Sequence, residues 1–143
     1  MRILLGLLAV FIGLPLAVAC YLIMSPIWRG NERLAALQAR VYAHPRPPQT
    51  QVDPPGEDDA TVGKLGDASG DYCEYLVKMT ISTALPAEKI LAHYSKARIP
   101  GVNKKDLARV SVQLEGSIAG TDRQRAIIEV RDVEGSDWDF RCT

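Results

Sequence analysis

The chain has 143 residues, with 17 lysines and arginines against 17 aspartates and glutamates. A formal net charge of zero supplies no global field to gather nucleic acid or other polyanions, and the length limits the folded part to one small domain. Apolar residues make up 47% of the chain, and they are not spread evenly.

From Ile3 to Met24 the sequence runs ILLGLLAVFIGLPLAVACYLIM without a charged side chain. As a helix this stretch reaches ~33 Å, the thickness of a bilayer's hydrocarbon core. Arg2, the apolar run and Ala17-Val18-Ala19 also fit a secretory signal peptide with an A-x-A cleavage site. Ala17-Val18-Ala19-Cys20 resembles the lipobox of bacterial lipoproteins, which implies lipidation of Cys20. It departs from that motif at Ala17, where leucine is usual, and in the apolar Tyr21-Leu22-Ile23-Met24 that follows. The apolar run continues past either cut and meets Trp28 and Arg29, so residues 1–28 read as an uncleaved transmembrane anchor. Ala9, Gly13 and Ala17 fall four apart and predict a small-residue face for packing against another transmembrane helix.

Residues 29–43 predict a juxtamembrane helix with Asn31 as a candidate cap. Leu34, Leu37 and Val41 share one face of it, and Arg29, Arg33 and Arg40 share another. It either lies along the headgroups or continues the span into water. Trp28, Arg29, Arg33 and Arg40 are the expected lipid-headgroup contacts. His44-Pro45-Arg46-Pro47-Pro48 ends helicity, and residues 44–70, acidic and rich in proline and glycine, read as a linker.

Residues 71–143 predict an α+β domain. Tyr72–Ile81 alternates as a strand, Pro86–Ala97 is helical, and Ala108–Leu114 and Arg125–Arg131 alternate again. Trp138–Cys142 reads as a last strand after the Glu134–Asp137 turn. The expected architecture is β-α-β-β-β, a four-stranded antiparallel sheet with one helix on one face. Cys73 and Cys142, near opposite ends of this domain, predict a disulfide and an oxidising compartment. Positive charge argues the other way, because Arg29, Arg33 and Arg40 follow the span and only Arg2 precedes it. The cysteine pair carries more weight, placing the domain outside the cytoplasm, in the periplasm or beyond.

Chemistry-bearing patterns are sparse. His44 and His93 have no cysteine or acidic neighbour at ligand spacing, and no serine sits in a nucleophile motif. Asp132, Glu134, Asp137 and Asp139 cluster near the last turn, as turn residues commonly do, and Lys104, Lys105, Arg109, Arg123 and Arg125 are offset by neighbouring acids. The chain therefore reads as a non-catalytic, single-pass accessory or structural subunit of a membrane complex. Membrane lipids and a membrane protein are its expected partners, without nucleic acid, metal or cofactor. An envelope domain binding a ligand or peptide through the sheet face opposite its helix is the alternative.

Overall fold

A computed structural model describes residues 2–64, 72–135 and 139–142, with side chains from Ile12 onward except that of Glu57. The first element is a single unbroken helix, α1 (Arg2–Ala43), which contains both Pro15 and Pro26. At ~1.5 Å per residue it extends ~63 Å, about twice the thickness of a hydrocarbon core. Its first half is apolar on every side. Its second half is amphipathic, and there the apolar side is covered by the rest of the chain.

The sheet is built on β3 (Tyr72–Thr83), whose odd-numbered residues from Cys73 to Ile81 are buried while the alternate positions are not. It pairs antiparallel along its whole length with β5 (Gln124–Gly135), which in turn pairs with β4 (Arg109–Ser117). A register shift between Leu114 and Gly116 ends the regular part of β4, and Gly116 there adopts φ 99°. That left-handed backbone costs glycine little and any branched residue much. Helix α2 (Ala87–Tyr94) begins after Pro86 and places Ile90 and Tyr94 in the core.

The acidic, proline-rich segment is not an unpaired linker. Thr50–Val52 forms β1, Glu57–Asp59 a short 3-10 turn and Ala60–Lys64 β2. These two strands lie in tandem along one edge of β3, with Val52 opposite Ile81 and Val62 opposite Tyr75. Val52, Ala60 and Val62, apolar residues of the two strands, all pack against the core. Tertiary pairing thus supplies what local composition does not. The sheet has five strands, in the order β1-β3-β5-β4 with β2 beside β1 on β3.

The expected last strand is also revised. Phe140–Cys142 is a 3-10 turn closed by the Cys142 N–H donating to the Asp139 carbonyl at 2.9 Å, and Trp138 lies outside the described residues. Both edges of β3 are already occupied, so no slot beside it remains for this segment.

A further difference lies in α1. Leu37 and Val41 are fully buried among Val77, Met79, Ile90, Tyr94 and Ile128, with Leu34 and Tyr42 packed beside them. Residues 29–43 do not form a separate surface helix; they are the second helix on the apolar face of the sheet.

Candidate functional site: the junction of the apolar helix and the domain

From Ile12 to Met24 every side chain of α1 is exposed, including Leu14, Leu16, Val18, Leu22 and Ile23. This helix is long and apolar enough to cross a membrane. Gly13 has nothing within 4 Å of where a Cβ would lie, and Ala17 is exposed, so this chain leaves the small-residue face uncovered there. Ala9 lies on the same helix, its side chain outside those described. Cys20 is a free, exposed thiol within uninterrupted helix.

Beyond Met24 the helix meets the domain. Pro26 and Gly30 are buried, and Arg141 reaches across to them from the C-terminal turn. Its guanidinium donates to the Ile27 carbonyl at 3.2 Å and to Asn31 Oδ1 at 2.7 Å. It also pairs with the buried Asp139 carboxylate at 2.6 Å. Gly30 makes this approach possible, since a Cβ there would stand 2.7 Å from Arg141 Nη2 and 2.9 Å from Asp139 Oδ2. The hydrogen bond from Arg141 holds the Asp139 carboxyl below the ordinary aspartate range, against the opposing effect of burial.

One residue on, Cys142 is joined to Cys73 with a Cα separation of 4.9 Å. The pairing expected from sequence is therefore present, although Cys142 arrives on a turn and not on a strand. Cys73, Asp139 and Cys142 converge closely enough to suggest a metal donor set. The disulfide occupies both sulfurs and Arg141 occupies the carboxylate, so in this state the cluster ties segments together and has no ligand atoms to offer.

The four residues expected at headgroups separate. Trp28 is exposed, and Arg29 is exposed and turns back to the Ser25 carbonyl at 3.5 Å. Arg33 acts on the Glu134 carboxyl, countering the burial and neighbouring acids that raise its pKa, and so faces the domain. Arg40 turns toward the domain. It donates to the Pro100 carbonyl at 3.0 Å and the Gly101 carbonyl at 2.9 Å, strapping α1 to the loop between α2 and β4. That loop is held from below by Asp132, which accepts from the Val102 N–H at 2.7 Å. A Cβ on Gly101 would overlap the same carboxylate, which explains the glycine. Glu134 accepts from Asn103, so Asp132, Glu134 and Asp139 are all engaged in structural bonds, and Asp137 lies outside the described residues.

The two histidines meet, which their spacing does not reveal. Their ring centres are 6.2 Å apart, and His93 Nε2 lies 2.9 Å from the Pro45 carbonyl. That contact requires Nε2 to carry the proton and leaves only Nδ1 open. With Lys89 and Lys96 they line an open cleft of about 460 Å³ that contains no carboxylate, thiol or hydroxyl. Burial, with His93 close by, lowers the pKa of His44. The cleft can attract an anion, but it lacks the acid or nucleophile of a hydrolytic site. The opposite sheet face carries a shallow depression of about 400 Å³ lined by Glu74, Leu107, Arg109, Arg131, Asp132 and Val133, with no aromatic side chain. Arg131 is paired there with Glu74 at 2.9 Å and Glu129 at 2.6 Å. Among the cations that the sequence balances with neighbouring acids, Arg123 donates to the Ser82 carbonyl at 2.6 Å.

The arrangement as a whole joins parts rigidly: one helix is apolar sleeve at one end and core element at the other. No protein-family model matches the chain, and neither curated proteins nor solved structures gave a match.

Proposed function

We propose that this chain is a single-pass membrane-anchored interaction protein, with its disulfide-tied α+β domain outside the cytoplasm and a second membrane protein as its partner. The observation that carries the reading is the continuity of α1, exposed and apolar through Met24, then buried at Leu37 and Val41. A lipid-facing sleeve needs a bilayer around it, and the disulfide favours an oxidising compartment on the domain side. The open face at Gly13 supplies a place for a partner helix, and Asp132, Asp139 and the paired cysteines are engaged in bonds between segments.

Two readouts in intact cells test this. With Cys20→Ser as background, Ala119→Cys on the exposed turn should react with a membrane-impermeant maleimide; protection until the membrane is opened overturns the orientation. A photoreactive side chain at position 16 should give one protein adduct of discrete mass that Gly13→Leu abolishes. Lipid adducts alone overturn the interaction.

A further inference from the structure

We propose that the foot of the domain is itself a lipid-contacting surface, with Tyr72 and Phe140 seated beside Trp28 in the headgroup layer of a bilayer. The inference rests on reading α1 as a membrane span, and it adds a second, non-helical attachment that fixes how the domain sits on the lipid.

Height comes first. The bonds from Arg141 to Ile27 and Asn31 place the Phe140–Cys142 turn level with residues just beyond Met24, the last residue of the apolar sleeve. Ile27 and Asn31 stand ~5 and ~10 Å of helix rise past Met24, and the headgroup layer of one leaflet is ~5–8 Å deep. The turn therefore meets the outer part of that layer when the sleeve fills the hydrocarbon. The disulfide holds Cys73 to Cys142, which brings Tyr72, the first residue of β3, to the same end of the molecule. Lys64 pairs with Cys73 and Gly135 with Tyr72, so the ends of β2 and β5 lie at this same end.

Among the described residues beyond Met24, the exposed aromatic side chains sort by that height. Trp28 is 57% exposed, Tyr72 47% and Phe140 59%, and all lie at the foot. Tyr75 and Tyr94 are buried in the core, Tyr42 is half-buried, and the turn at the far end of the sheet, from Ile118 to Arg123, contains no aromatic residue. Large aromatics exposed to water gain nothing, whereas at a headgroup boundary an amphipathic ring is favoured. Charge permits this placement: Asp139, a carboxylate at this level, is 3% exposed and paired with Arg141, while Lys64 and Arg29 are exposed cations able to meet phosphates, with Glu32 an exposed acid nearby.

The test uses the full chain in nanodiscs of phosphatidylcholine and phosphatidylglycerol, with a photoreactive benzophenone side chain at position 28, 72, 140 or 119. Position 119 is the distal control, separated from the foot by ~35 Å of strand. Lipid adducts at 72 and 140 should match those at 28 and exceed those at 119 about tenfold, the contrast between headgroup and solvent. Adducts at 28 but none at 72 and 140 overturn the proposal while leaving the anchor intact. Absence of adducts at 28 as well overturns the membrane reading itself. Protein adducts at 72 and 140 in native membranes, replacing lipid adducts, assign the foot to a partner and also overturn it.

Discussion

Replacing Leu37 by alanine separates a helix that merely leaves the membrane from one that is part of the domain. Leu37 is fully buried between α1 and the sheet, and the substitution removes three carbons from that contact. At ~0.8 kcal/mol per buried methylene the transfer loss is about 2.4 kcal/mol. The cavity left behind raises it toward ~3–4 kcal/mol, within the range measured for leucine truncations in cores. For a domain near 100 residues that lowers the unfolding midpoint by roughly 15–25 °C. The measurement is amide hydrogen exchange of β3 and β5 peptides against temperature, on the full chain in detergent, beside Ala36→Gln on the exposed side of the same turn. Leu37→Ala should release β3 at a much lower temperature, and Ala36→Gln should leave it unchanged. Equal protection in the two variants would refute the packing of α1 into the core.

Other expectations follow from the contacts between segments. Arg40→Ala removes two bonds from a charged donor to the Pro100 and Gly101 carbonyls, for a stability loss of roughly 1–2 kcal/mol read by urea unfolding, which Arg40→Lys restores only in part because it lacks the fork. Gly30→Ala places a methyl against Arg141 and costs about 1–2 kcal/mol; combined with Arg141→Ala the penalty should be less than the sum, as a double-mutant cycle would measure. Reduction of Cys73–Cys142, with a sequence separation of 69, should lower stability by up to ~4 kcal/mol, read as a midpoint shift in dithiothreitol. Acid should destabilise the domain in two stages. His44, whose pKa is lowered from 6.5, contributes stability above that value that is lost as pH falls through its folded pKa. Asp139, held below 3.8, contributes stability above that value that is lost at lower pH still. His44→Gln should flatten the upper stage and Asp139→Asn the lower in a pH series of unfolding midpoints.

What was legible in the sequence depended on how local the cause was. The span, the long strand at Tyr72–Ile81, the helix after Pro86 and the alternation at Val110 and Ile128 all show in side-chain periodicity, and the α+β class follows from them. The Cys73–Cys142 pair is legible from two thiols near opposite ends of the domain, though Cys142 arrives on a turn and not on the expected strand. Failures arose where pairing was decided from a distance. Val52, Ala60 and Val62 are too few to mark strands by themselves, and they become strands because β3 offers an open edge. The apolar stripe Leu34, Leu37 and Val41 was visible, but a stripe does not say whether lipid or sheet will cover it. The engagement of Arg40 with the domain is not legible, because its acceptors, two backbone carbonyls sixty residues away, leave no trace in side-chain pattern. The meeting of His44 with His93 has the same origin, since α1 ends where α2 ends only after the sheet has formed.

An unbroken α1 also fixes an azimuth. Successive residues turn by ~100°, so the line through Gly13 stands about 100° around the axis from the line through Gly30 that meets the domain. A neighbouring helix gripping the first line would find the globule always on the same flank, like a key whose bow is set by its bit. Inserting one alanine after Met24 would swing the globule by ~100°, onto the same line as that neighbour, without altering a single contact inside it.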